Sequence, residues 1–178
     1  MQHQIALFLL GILFVCIPSV YAQTAVDYVQ KGNAYYTQGR YDQAIAYYTE
    51  AIDTNPNFAK AYDNRGVAYA QKGNLSGAIS DFTMAIANNP NDAEAYNNRG
   101  HAYAKLGNFL QAVSDYSKAI KINPNYAKAY NNRAHVFYDI KKYTRAWDDA
   151  QKAEALGVTV DPDFLEELKQ HPSLSIHH

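Results

Sequence analysis

The side chains that could do chemistry fall into columns that recur at one fixed interval along the chain. Asn64, Asn98 and Asn132 form one such column, Asn97 and Asn131 lie beside two of its members, and Asn33 adds a further amide upstream. An asparagine carries both an amide donor and a carbonyl acceptor, so one side chain can bond both groups of a peptide unit. Repeated at a fixed interval, it can track an extended backbone without reading its sequence. The competing reading is a solvated face on which Asn simply tolerates water. His101 and His135 share another column, which invites a metal. At helix-packing distances their rings are about 10 Å apart, no Cys or further His joins them, and Asp139 is the sole carboxylate candidate. Polar surface residues are the better account, and no metal or other cofactor is expected. A third column holds Arg65, Arg99 and Arg133, each followed at one constant offset by Asp81, Asp115 and Asp149. The first copy of the pattern lacks both members, with Lys31 and Tyr47 in their places. Joint presence and joint absence predict Arg–Asp pairs between neighbouring helices, a packing device that holds register rather than a site.

Catalysis has no residues to rest on. No phosphate-cradling G-x-x-x-x-G-K-[ST] loop, G-x-G-x-x-G turn, H-E-x-x-H helix or G-x-S-x-G elbow occurs. Asp148 and Asp149 are consecutive on one helix and diverge by about 100°, so they form no acid/base dyad.

The columns exist because the chain repeats. The window from Ala59 to Asp92 agrees with the next, from Ala93, at 19 of 34 positions without a gap. Copies are read at 25–58, 59–92, 93–126 and 127–160. Each holds two helical stretches. In the second copy Tyr62, Gly66 and Tyr69 make an apolar stripe at i, i+4 and i+7. Gly73-Asn74 interrupts it as a left-handed turn would, and a second stripe runs through Ala78, Phe82, Ala85 and Ile86. Asn89-Pro90-Asn91 is expected to stop that helix and cap the next. Gly32, Gly66, Gly100 and Ala134 share a column of small residues that lets paired helices approach closely, with tyrosines filling the space between. No copy could bury these faces alone, so the copies must stack.

In period and residues this pattern resembles the tetratricopeptide repeat (TPR) family over roughly Ala25 to Val160. The resemblance rests on the Gly/Ala columns, on Tyr35, Tyr69, Tyr103 and Phe137, and on Pro56, Pro90 and Pro124. It implies an all-α, right-handed α-solenoid of four helix-turn-helix units. The fourth copy departs most, with Lys141 for the turn Gly, Ala150 for a large aromatic and Gly157-Val158 for Asn-Pro. Residues 161–170 read as a capping helix, with Asp161 as its cap, Pro162 in its first turn and Phe164, Leu165 and Leu168 as its apolar edge. A tail, 171–178, follows.

The resemblance also implies that first helices line a concave groove, in the second copy through Lys60, Asp63, Asn64, Val67, Ala70 and Gln71. The Asn column then resembles the asparagine ladders of peptide-holding TPR superhelices. The carboxylate clamp of chaperone-binding TPR domains is matched only by Asn33 and Asn64, because Val29, Glu94 and Asn98 replace its cations. The chain therefore reads as a non-catalytic scaffold or adaptor that binds a protein or peptide in the groove. Its alternative is a structural spacer or oligomerisation module.

Composition agrees. The 178 residues carry a net charge of −1 with acidic and basic residues dispersed, which argues against nucleic acid. Residues 1–22 read as a signal peptide: Ile5 to Ile17 is uncharged and Val20-Tyr21-Ala22 suits cleavage. Export to the periplasm or medium is expected, or else membrane anchorage by residues 5–17. Cys16 is the only cysteine, so a cleaved chain has neither disulfide nor thiol nucleophile.

Overall fold

The computed structural model describes residues 23–172, and among these there are nine helices and no strand. Helix α1 occupies residues 23–37. It is followed by α2 (Tyr41–Thr54), α3 (Ala59–Gln71), α4 (Leu75–Asn88), α5 (Ala93–Lys105), α6 (Phe109–Ile122), α7 (Ala127–Asp139), α8 (Tyr143–Ala155) and α9 (Pro162–Gln170). The signal peptide expected over 1–22, with Cys16, and the residues from 173, with His177 and His178, lie outside the described residues.

From α2 onward each helix packs on its neighbour in sequence, and α3 also touches α5 as α5 touches α7; Gly32 of α1 faces Tyr48 of α2. First helices of the repeats thus form one layer and second helices the other, as stacking of identical units requires. The two helices of a unit are set by a close approach and a tight turn. A methyl group on Gly32, Gly66 or Gly100 would stand 2.4, 2.8 or 3.0 Å from the ring of Tyr48, Phe82 or Tyr116. The fourth unit changes both sides of this contact together, to Ala134 and Ala150, both fully buried. The turns close on Gly39, Gly73 and Gly107 at φ of 73°, 78° and 74°. Lys141 adopts φ 59° at the equivalent place, and the same backbone bond is made there, from Lys142 N–H to the Phe137 carbonyl at 2.7 Å.

The Asn-Pro-Asn segments stop their helices as expected, with Asn55, Asn89 and Asn123 at the C-caps, but they do not cap the next helix. Asn55, Asn89 and Asn123 accept from the backbone N–H two residues on, at 3.2, 3.4 and 3.1 Å. They therefore shape the proline turn itself. The residue that precedes the next helix is Phe58, Asp92 or Tyr126, and only Asp92 caps with its side chain, accepting from Glu94 and Ala95 N–H.

Helix α9 begins with Asp161 accepting from Asp163 N–H and with Pro162 in the first turn. Phe164 and Leu168 are buried in one cluster with Ala134, Ala146, Ala150 and Ala153. Phe164 and Leu168 fall one repeat length after Tyr130 and Ala134, so α9 keeps the spacing of a first helix. Large apolar side chains on α9 fill what the small pair Ala134 and Ala150 leaves.

Candidate functional site

Two sets of polar side chains run the length of the stack, and the structure separates them by role. Arg65 clasps Asp81 through Nε and Nη2 at 2.7 and 2.9 Å. Arg99 holds Asp115 at 2.8 and 2.8 Å, and Arg133 holds Asp149 at 2.7 and 2.8 Å. The third guanidinium nitrogen reaches back to the preceding unit, donating to Thr49, Thr83 or Ser117 at 3.0, 3.1 and 2.8 Å. Each arginine therefore ties its first helix to the second helices of two successive units. It also lies over a tyrosine of its own helix, Tyr62, Tyr96 or Tyr130, each 5.7 Å from the ring centre. The carboxylates are buried. Their hydrogen bonds hold Arg65 and Arg99 above the ordinary guanidinium value. Sequence reasoning misses the hydroxyl column, although each hydroxyl precedes its arginine by the same offset at which each aspartate follows it. At the first unit Tyr47 stacks on Tyr35 at 5.2 Å, with the Lys31 ammonium 6.0 Å from its ring.

The asparagines form the second set, on the concave face. Asn98 Nδ2 donates to Asp63 at 3.1 Å and Asn132 Nδ2 to Asn97 at 3.0 Å, so each reaches the unit before it. In the first unit the accepting position is Val29, which has no acceptor. Asn64 instead bonds Asn33 at 2.9 Å, one turn further along the same face. Asn33 also accepts from the Tyr48 hydroxyl at 2.8 Å, and burial, then Tyr36, push that phenol up to about 12. Each in-chain bond uses one N–H. Asn64, Asn98 and Asn132 each retain a second N–H and the carbonyl, and all three are half-buried.

Two open depressions follow this face. One, of about 280 Å³, is lined by Val67, Ala70, Gln71, Asn97, Asn98, His101, Lys105 and Asn132, together with Leu75 and Phe82. The other, of about 160 Å³, is lined by Asn33, Tyr36, Tyr48, Lys60, Asp63, Asn64, Val67 and Glu94. The six second-unit residues read from the sequence as groove lining all appear in these two. Asn131 and His135 line neither. The Asn131 Oδ1 is buried without a partner. The position whose amide would donate to it, one repeat length after Asn132, is Glu166, which has no side-chain N–H to give. His135 remains exposed and stacks on Phe164 at 4.1 Å, so it seats α9.

Of the two lysines on this face, Lys60 is met by carboxylates of the chain, and Lys105, beside the 280 Å³ depression, forms no ion pair among the described residues. Lys60 Nζ lies 3.3 Å from Asp63 and 3.4 Å from Glu94. Burial pushes the Asp63 carboxyl above the usual range, although Lys60 and the Asn98 amide oppose this. Burial, then the Lys105 ammonium, hold His101 below the ordinary imidazole value. Among the described residues no three His, Cys, Asp or Glu side chains gather as metal ligands.

Tetratricopeptide-repeat family models match residues 29–93, 93–126 and 116–148. The first TPR of Spaghetti (RPAP3), solved with an HSP90 peptide SRMEEVD, is 32% identical, spans 67% of this chain and 95% of its own, and superposes with a TM-score of 0.66. The chain belongs to the tetratricopeptide repeat family. The human RPAP3 first TPR domain is similar at 31% identity, covering 68% of this chain and 95% of that one, with a TM-score of 0.66. The fold alone is shared with MamA, at 22% identity, 85% and 84% coverage and a TM-score of 0.75. No curated protein matches the chain. As a TPR protein it is an all-α solenoid of the kind that serves protein interaction.

Proposed function

We propose that the concave face of this TPR solenoid holds an extended segment of a partner protein, gripped by Asn64, Asn98 and Asn132. The observation that carries this is the geometry of the amides. Each is fixed in orientation by one bond to the preceding unit and keeps one donor and one acceptor for a ligand backbone. A side chain fixed beforehand loses little rotamer freedom on binding, so more of each bond appears as affinity. The relatives solved with HSP90 and HSP70 peptides hold segments ending in EEVD. This groove is unsuited to such an acidic end. Val29, Glu94 and Asn98 supply no cation, and Lys60 is already bonded to Asp63 and Glu94. None of the clamp's cationic positions is kept, so the ligand is read through its backbone, and the chain acts as a non-catalytic adaptor.

The test uses peptides selected on the protein from a random library, with affinity read by fluorescence anisotropy. Changing Asn64, Asn98 and Asn132 together to Ala should weaken binding about tenfold or more, as loss of three modest hydrogen bonds requires. Helicity by circular dichroism should stay the same. A peptide ending in EEVD should not compete. Full affinity in the triple variant would remove the amides from the mechanism.

A further inference from the structure

The solenoid is electrically lopsided. The four turns between first and second helices fall at the same place in every unit, with equivalent backbone bonds from residues 40, 74, 108 and 142, and so form one edge of the stack. Over residues 37–43, 71–77, 105–111 and 139–145 that edge carries six cations, Arg40, Lys72, Lys105, Lys141, Lys142 and Arg145. Only two carboxylates, Asp42 and Asp139, accompany them, in a chain whose net charge is −1. One of the two, Asp42, is taken by Lys72.

The same edge exposes leucine. Leu110 is 78% exposed and Leu106 46%, on either side of the third turn. At the position of Leu110 the other units have Asp42, Ser76 and Thr144, so an apolar residue stands here against the pattern of the repeat. The cations next along the edge also run against folding. Lys141, Lys142 and Arg145 surround the start of α8, the helix end that disfavours positive charge. Lys141 also holds a left-handed conformation, which is unfavourable for a residue that has a Cβ. Local choices that each oppose folding point to a function that retains them.

We infer that this edge docks on an anionic phospholipid surface, with Leu106 and Leu110 entering the headgroup layer and the flanking cations meeting lipid phosphates. Exposed leucines set among lysines and arginines match both parts of such an interface, apolar and ionic. The contact proposed is peripheral, at headgroup depth; no helix among the described residues is long and apolar enough to cross a membrane. Gln71, Leu75 and Lys105 belong both to this edge and to the lining of the 280 Å³ depression, whereas the depression around Asn33 and Asn64 shares no residue with the edge and stays open.

The full chain is mixed with vesicles of phosphatidylcholine alone, or of phosphatidylcholine blended with phosphatidylglycerol, in low and high salt, and sedimented. The apolar run over residues 5–17 would bind both vesicles alike; the edge adds a preference for the anionic ones that salt removes. Lys142→Glu with Arg145→Glu should cut that preference about tenfold or more, at roughly fivefold per surface cation. Both changes place acids at a helix start, where they favour the helix, and circular dichroism checks the fold. Lys121→Glu with Lys128→Glu, the same charge change away from this edge, should keep the preference. Leu106→Ser with Leu110→Ser should lower binding to anionic vesicles in either salt. Equal binding to both vesicle types, or edge and control variants that behave alike, would overturn the inference. An edge built for an acidic protein would give that result.

Discussion

Asp63 occupies a column in which the later units carry Asn97 and Asn131, and its environment suits the amide better than the carboxylate. Its side chain is 2% exposed, and it accepts from Asn98 as Asn97 accepts from Asn132. Burial raises its carboxyl pKa despite Lys60 and Asn98. A raised folded-state value means that the folded chain keeps this proton to a higher pH than the unfolded chain does. Its contribution is then most favourable below the ordinary value of 3.8 and is lost as pH rises through the folded value. Asp63→Asn should therefore stabilise the protein near pH 7 by on the order of 1 kcal/mol, a typical single hydrogen bond. The gain should shrink toward zero as pH falls below 4. Urea melts of both proteins across that range measure it. A variant less stable at pH 7 would mean that the Lys60 pairing outweighs the burial of the charge.

Between helices, the unit is set by glycine facing a ring. Gly66→Ala would put a methyl 2.8 Å from Phe82 Cε1, and a buried ring on a packed helix has little room to move. The cost should be about 1–3 kcal/mol, the usual range for overpacking. In a Phe82→Ala background the same change should cost nothing or stabilise, since Ala exceeds Gly in helix propensity by about 1 kcal/mol. That combination recreates the Ala134 and Ala150 pair of the fourth unit. A double-mutant cycle by chemical denaturation should give a coupling of about 2 kcal/mol or more. Additive effects would show that the ring yields to the methyl. Such contacts were legible in the sequence as columns, because a strict period makes every helix pair a copy of the others. The Arg–Asp spacing was legible for the same reason. What the columns hid was the third partner of each arginine and the in-chain bond of each asparagine. Both join one unit to the unit before it, and a pattern read within a repeat does not show which columns face each other across the boundary. His135 was hidden for a related reason: its neighbour is α9, which lies outside the four copies.

At the scale of the whole molecule, a solenoid has only nearest-neighbour contacts, so its stability is distributed along the stack and its ends are the first to open. The C-terminal end is closed by α9 through a small set of side chains. Phe164 stacks on His135 at 4.1 Å and meets Tyr138 edge-on at 5.5 Å, while Leu168 is fully buried. Phe164→Ala should cost about 3 kcal/mol at this end, as expected for a buried phenylalanine. Because α9 packs chiefly on α8, and α3 and α4 lie two units away, the loss should stay local. In native-state hydrogen exchange, amides of α7 and α8 should lose protection while those of α3 and α4 keep theirs. The seat should also respond to pH. Burial lowers the His135 pKa, against the pull of Asp139 and Asp161. The unfolded chain then binds this proton first. The contribution of neutral His135 is complete above the ordinary value of 6.5 and declines as pH falls through it toward the folded value. Wild-type protection in α7, α8 and α9 should therefore weaken somewhat below pH 6, and His135→Phe should reduce that dependence while keeping the stack. Protection lost evenly along the chain in Phe164→Ala would mean that the solenoid opens as one unit, and that α9 closes the whole molecule and not only its last repeat.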